Sequence, residues 1–341
     1  MLNNTDVRSL VERLDMTQWI CHPNFSAVKN LPVLTRQELQ TLPMAGLFHT
    51  RTSGSTGEPV TVWKTYNDAV WFTALFIREL SWRKWDMSRN ICVVNAKTVT
   101  RDDPNWCLST ALYPQQGKRY NHKMADPSVL QSWLEAKNPH YIIMYPSVLA
   151  QLDLSKLTNL IDVKNTGEIG SSAYSSEECG YIALQCPDNK EVYHVMENVL
   201  VEREEDGQAL VTSLTNPYIK RYRIGDYVEF GKCHCGRALQ TISKIHGRVR
   251  NMITYPDGTK EWPTVGSPFY YERFQIKRFQ AIQKTLEKLT LRINRNTIFT
   301  DDEHAEFVKF VQDSVHHPFD IEVEYVKTFE PGKFEEFKSL L

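Results

Sequence analysis

No stretch of this 341-residue chain approaches the roughly 18 to 20 consecutive apolar residues that crossing a bilayer requires. That excludes a helical membrane span. The opening segment, MLNNTDVRSLVERLDMTQW, carries acids and bases throughout and lacks the apolar core of a signal peptide. Net charge is nearly absent as well: 40 Lys and Arg oppose 41 Asp and Glu, leaving −1. Without a basic footprint or an acidic tail, neither a nucleic acid nor a membrane is expected as a partner. Internal repeats and low-complexity linkers are also missing. The cysteines number seven, an odd set in a chain too large to need staples. Retained thiols or metal ligation fit them better than a disulfide framework, and a cytoplasmic location follows as the expectation.

What remains is an ordinary soluble composition, 41% hydrophobic and 24% charged, in a chain long enough for two domains. The pattern is α/β. Residues 67–83 have apolar positions at helical spacing, with Asn67 or Asp68 as the cap. The stretch 139–150 reads as a buried strand and then a Pro-marked turn into a helix. RYRIGDYVEF at 221–230 reads as two short strands around a Gly-Asp turn. A boundary near 248–252 is expected, followed by a final unit of about 90 residues. There LTLRIN and IEVEYV read as strands, EHAEFVKFVQDSV as a helix and KFEEFKSLL as a closing short helix. The expected architecture is a large N-terminal domain, 1–250, with mixed sheets and helices, and a small α+β lid, 251–341.

The strongest local signal is Arg51-Thr52-Ser53-Gly54-Ser55-Thr56-Gly57-Glu58-Pro59-Val60. Small residues let backbone N–H groups approach an anion, and hydroxyls add donors to phosphate oxygens. The Gly-Lys-Ser/Thr ending of a Walker A loop is absent. A polar hairpin turn is the plainer alternative for such a segment.

With this loop the chain resembles the adenylate-forming superfamily, most of all the branch of phenylacetate–coenzyme A ligases and capsule-biosynthesis homologues. LPVLTRQEL at 31–39 is similar to that branch's lead-in. TGE at 166–168, YSSEECGYIALQCP at 174–187, RYRIGD at 221–226, CHCGR at 233–237, IHGRVRNMI at 245–253 and EPGK at 330–333 follow in the family's order. The resemblance covers nearly the whole chain and implies an adenylation domain with a mobile lid. It implies Thr52, Ser53, Gly54, Ser55, Thr56 and Gly57 on the phosphates, Tyr174 beside adenine and Glu178 on magnesium. It also implies Asp226 on the ribose hydroxyls, Arg248 on the nucleotide and Lys333 reaching in from the lid. An aromatic face suits a purine, and a carboxylate suits the hard Mg²⁺ ion. A lysine suits the charge that builds as a carboxylate attacks the α-phosphorus. Taken without the family, YSSEE is a helix start with a Ser cap and two acids, Asp226 a turn residue, Arg248 a solvated arginine and Gly-Lys an exposed turn.

The cysteines suggest a second ion. Cys233 and Cys235 form a tight pair on a Gly-containing turn, while Cys186 and His194 flank CPDNKEVYH. Together they make a Cys₃His set suited to tetrahedral Zn²⁺, tying two hairpins together. His234 is an alternative to His194, and unmetallated thiols are the other reading.

The chain departs from the family in several places. Only IGSSA separates Glu168 from Tyr174, the segment before RYRIGD is short, and Glu177 fills the Thr slot of the Tyr block. Arg250 and Asn251 stand where relatives carry acids. Tyr193 and Glu197 offer a rival with the same spacing as Tyr174 and Glu178. The expected reaction is MgATP-dependent adenylation of a small carboxylic acid, aryl or acyl, with transfer to coenzyme A, a carrier-protein thiol or an amine. Trp63, Trp82, Trp85 and Tyr145 are candidates for an aryl pocket, with core packing as their alternative. The other functions to weigh are amide or nitrogen–nitrogen bond formation, including activation of an oxyacid such as nitrite, and non-catalytic nucleotide binding.

Overall fold

The computed structural model describes residues 3–16, 28–51, 60–95, 99–106, 117–166, 171–248, 252–261, 273–329 and 336–341. Thr52 to Gly57 and Lys333 lie outside these residues. So does the side chain of Arg248, whose backbone is described.

Helix α1 (Asn4–Met16) packs its apolar side on a longer helix that follows two small elements. Those elements are α2 (Arg36–Thr41) and an antiparallel ribbon of β1 (Phe48–Arg51) and β2 (Thr61–Lys64). The longer helix, α3, runs Tyr66–Trp82. Its cap is Thr65, not Asn67 or Asp68. The Thr65 hydroxyl accepts the Asp68 N–H, and the Asp68 carboxylate accepts the Thr65 N–H, closing a capping box that starts two or three residues before the expected cap.

Next comes a five-stranded sheet of β3 (Ile91–Asn95), β4 (Arg101–Asp103), β5 (Arg119–Lys123), β6 (Tyr141–Met144) and β7 (Asp162–Asn165), in the order β4-β5-β3-β6-β7. All its pairings are parallel except that of the edge strand β4. Helix α4 (Pro127–Lys137) and the short α5 (Pro146–Leu149) lie in its connections, and Leu130 and Leu134 of α4 join its core. Strand β6 and α5 match the buried strand and Pro-marked turn expected over 139–150.

The third sheet holds the candidate site. It consists of β8 (Ala173–Ser176), β9 (Gly180–Gln185), β10 (Tyr193–Val195), β11 (Val199–Arg203), β12 (Gln208–Ser213), β13 (Tyr222–Gly231) and β14 (Thr241–Arg248), in the order β11-β12-β13-β14-β10-β9-β8. Two expectations are corrected here. YSSEE is the end of a strand and a turn, not a helix start. RYRIGDYVEF is one strand, not two, because Gly225 at φ +85° lets the chain bulge and continue.

The last elements are the short pair β15 (Ile253–Thr254) and β16 (Lys260–Glu261), then β17 (Arg278–Gln283), β18 (Lys288–Asn294), helix α6 (Asp301–Ser314), β19 (Asp320–Tyr325) and β20 (Phe337–Ser339). Four of these strands form a sheet in the order β19-β18-β17-β20. Its core is drawn from residues 253–337 alone, with Phe279, Leu291 and Phe307 fully buried. The expected closing helix in KFEEFKSLL is corrected: 337–339 is a strand parallel to β17, with Phe337 and Ser339 turned inward at a period of two. No described helix is long and apolar enough to cross a membrane.

Candidate functional site

Tyr174 stands on the edge strand β8, and Asp226 stands on β13. Three strands, β14, β10 and β9, separate them in the sheet. On a flat sheet four strand spacings would hold them roughly 19 Å apart. Yet the Tyr174 hydroxyl donates to Asp226 Oδ2 at 2.9 Å. The sheet must therefore curl until its β8 edge faces β13, as strongly twisted sheets do on the way to barrels. Both residues sit at irregularities in the ladder. The pairing of β8 with β9 slips between Tyr174 and Ser175, and that of β12 with β13 slips across 223–227. Bulges of this kind redirect a side chain out of the strict alternation. Asp226 also pairs with Arg248 across β13 and β14, which puts the backbones of the two predicted nucleotide contacts side by side.

Beyond Tyr174 the chain turns through Glu177, Glu178 and Cys179. Ser176 Oγ accepts the Cys179 N–H at 3.0 Å, the kind of bond that would cap a helix but here closes a turn into β9. Glu178 is 4% exposed. Its Oε1 accepts the Tyr222 hydroxyl at 3.1 Å and lies 3.4 Å from Arg36 Nη1. The buried Lys64 ammonium donates to the Glu178 carbonyl at 2.8 Å, and the Thr50 hydroxyl to the Glu177 carbonyl at 3.5 Å. Strands β1 and β2, which flank residues 52–59, thus both touch this turn. Burial, followed by the Glu178 charge, pushes the Tyr222 phenol up, so it is a permanent donor at neutral pH.

Tyr193 and Glu197 are committed elsewhere. Glu197 is buried against Arg78 at 2.7 Å, and Arg78 also donates to the Leu14 carbonyl, pinning α1 to α3. Tyr193 donates to the Ser171 carbonyl. The four candidate pocket aromatics are dispersed. Trp85 stacks on Tyr141 at 4.5 Å in one core, Tyr145 packs in a second and Trp82 in a third, while Trp63 lies against His49 on the ribbon. Core packing is the role the structure gives Trp82, Trp85 and Tyr145.

The Cys and His residues converge. Strands β9 and β10 form one hairpin, β13 and β14 another, and β10 pairs with β14 through His194 and Thr241. That pairing brings the two hairpin tips together. One ligand atom from each of Cys186, His194, Cys233 and Cys235 lies within 4.8 Å of all the others. Cys186 and Cys233 Sγ are 3.7 Å apart, and Cys235 Sγ is 3.2 Å from His194 Nε2. A disulfide needs about 2.05 Å. Two thiolates on one tetrahedral zinc, each at ~2.3 Å, are about 3.8 Å apart, so the donor set fits zinc in type and spacing. His194 rather than His234 completes the group. Burial pushes the Cys186 thiol up and, with the Arg237 charge, pushes His194 down, keeping the imidazole neutral as a ligand must be. Cys235 is lowered: burial opposes this most strongly, but hydrogen bonds from the Arg237 backbone and guanidinium, with those of Cys233 and Cys186, together outweigh it. Arg237 is itself fixed by Asp188 and lies 4.9 Å from the Trp82 ring.

Sequence reasoning missed Arg36, Lys64 and Tyr222. Arg36 stood in a recognised block without a role. Its contact with Glu178 spans 142 residues, and that of Lys64 spans 114. No local spacing signals such pairs.

No protein-family model and no curated protein matches this sequence. Solved structures do. A 2-hydroxyisobutyryl-CoA ligase in the postadenylation state with 2-HIB-AMP superposes with a TM-score of 0.69 at 15% identity, covering 91% of this chain and 79% of the other. An ATP-bound RpMatB–BxBclM chimera gives 0.56 at 12% identity over 85% and 66%. The amide bond synthetase McbA from Marinactinospora thermotolerans gives 0.52 at 15% identity over 83% and 65%. This chain has the mixed α/β fold of those proteins.

Proposed function

We propose that the chain is an ATP-dependent, AMP-forming ligase that adenylates a small carboxylic acid and passes it to a thiol or amine. The observation that carries this reading is the meeting of Tyr174 with Asp226 beside a buried Glu178. Two sequence blocks ordered as in adenylate-forming enzymes, YSSEE and RYRIGD, meet here, and Thr50 of the strand that leads into the Gly/Ser/Thr segment touches the same turn. The neighbours of this fold include a CoA ligase with an acyl adenylate and an amide bond synthetase, which supports the chemistry and both classes of acceptor.

In this reading Tyr174 stacks on adenine while its hydroxyl holds Asp226 toward the ribose. Arg248 and the segment Thr52–Gly57 bind the nucleotide. Glu178 has one oxygen engaged by Tyr222 and Arg36, and its carboxylate suits magnesium, which takes one or two carboxylates along with substrate phosphates. Magnesium there would screen the phosphates during attack at the α-phosphorus. Residues 1–250 form the adenylation domain and 251–341 the lid that delivers Lys333, whose charge stabilises the transition state. Cys186, His194, Cys233 and Cys235 hold a structural zinc at the far end of the same strands.

The test is acid-dependent ATP–pyrophosphate exchange with Mg²⁺ across aryl, fatty and amino acids and nitrite. Exchange with one class, abolished in Lys333→Ala, is the expected result. ATP binding without exchange from any acid would refute catalysis and leave a nucleotide-binding protein.

A further inference from the structure

Glu178 is a buried carboxylate, and a buried charge is tolerated only with a partner. Its partner is Arg36. The contact is a single one, Nη1 to Oε1 at 3.4 Å, and not the bidentate fork at about 2.7–2.9 Å that arginine makes with carboxylates at full strength. Oε1 is already shared with the Tyr222 hydroxyl. The Arg36 side chain is 26% exposed, so it lies at the boundary between Glu178 and the space outside it.

Its position is built into the fold. Leu34 forms a parallel bridge to Tyr222: its N–H donates to the Arg221 carbonyl at 3.0 Å, and its carbonyl accepts the Arg223 N–H at 2.9 Å. Thr35 then caps α2 with a reciprocal Thr35–Glu38 capping box. Leu39 is fully buried in the core that also contains Tyr174 and Tyr222. Arg36 is therefore clamped from both sides to the strand that carries Tyr222 and Asp226. The turn it faces is the one that β1 and β2 touch through Thr50 and Lys64.

We propose that Arg36 is a phosphate-binding residue of the nucleotide site, reading the β- and γ-phosphates of ATP. This rests on the adenylation reading and adds to it a residue that no motif assigns. In this structure the guanidinium lies against the Glu178 carboxylate. When a metal-bearing triphosphate arrives, Glu178 no longer needs it, and Arg36 turns its planar donors to the phosphate oxygens, which it can grip bidentately. The consequence is selectivity by phosphate number. ATP gains from Arg36, whereas AMP, which has no outer phosphates, gains nothing.

The experiment is calorimetric titration of the full chain with AMP and, in Mg²⁺, with ATP, in wild type, Arg36→Gln and Arg36→Lys. Circular dichroism and melting temperature serve as controls for folding. Arg36→Gln is expected to weaken ATP about tenfold to a hundredfold, the range of a charge-assisted hydrogen bond or two. AMP should stay within about twofold, and Arg36→Lys should fall between the two proteins for ATP. Unchanged ATP affinity in Arg36→Gln overturns the assignment while leaving the adenylation reading intact. Equal weakening of AMP and ATP also overturns it, because that is the mark of a general disturbance of the turn. A wild type that binds neither nucleotide overturns the adenylation reading itself, and the assignment with it.

Discussion

The hydroxyl of Tyr174 and the carboxylate of Asp226, 52 residues apart in the chain, share a hydrogen bond of 2.9 Å across a sheet that curls until its β8 edge faces β13. Removing only that hydroxyl separates the two roles proposed for the tyrosine. Tyr174→Phe keeps the aromatic face but leaves Asp226 without this donor. ATP affinity should fall about threefold to tenfold, and Asp226→Ala should cost more because the ribose contact itself is lost. Isothermal titration of both variants checks the order. An unchanged affinity in Tyr174→Phe would show that Asp226 is held without it.

The Cys₃His group predicts one zinc per chain by elemental analysis. Cys186→Ser should lose most of it, and strong chelation of the wild type should have the same effect. Either change unties the β9–β10 and β13–β14 hairpin tips, with an expected drop in melting temperature on the order of 5–10 °C. Purified protein with three titratable thiols at this site, no metal and an unchanged melting temperature after chelation would show that the group is only a thiol cluster.

A third test concerns the join between α3, the five-stranded sheet and the curled sheet. Glu79 of α3 accepts hydrogen bonds from Lys164 of β7, from the Tyr181 hydroxyl at 3.0 Å and from the Ser172 hydroxyl at 3.3 Å. Glu79 and Lys164 are each 4% exposed. Burial pulls the Lys164 ammonium below its ordinary value, and the Glu79 charge opposes that pull. Glu79→Gln leaves the ammonium without its counter-charge and should cost about 3–5 kcal/mol in urea unfolding. The double variant Glu79→Gln, Lys164→Met removes the stranded charge and should recover a large part of this. A double variant as unstable as the sum of the singles would show that the ion pair is not the source of the loss.

Much of the secondary structure was legible because it follows from short-range pattern. Strand β6 with its Pro-marked turn, the helix at 301–314 and the strands at 288–294 and 320–325 all show in local periodicity. The misreadings have equally local causes. Asp68 is a real partner in the α3 cap, but at its third position, with Thr65 as the cap itself. Ser176 makes a cap-like bond in a turn that never becomes a helix. The segment 337–339 becomes a strand because β17 offers it an edge, which no feature of KFEEFKSLL announces.

The sequence by itself determined the chemistry available: a Gly/Ser/Thr segment, an aromatic followed by acids, an aspartate beside a glycine, and three cysteines with a histidine at spacings a metal can use. These are properties of residue type and short spacing, which the chain carries wherever it folds. Only the tertiary structure decided that Tyr174 reaches Asp226, that Glu178 is neutralised by Arg36, and that His194 rather than His234 joins the cysteines. The first of these contacts depends on the curl of a seven-stranded sheet, and the last on the pairing of β10 with β14. That curl accumulates from small twists between successive strands and from bulges at 174–175 and 223–227, so it is a property of the whole sheet and of no single segment.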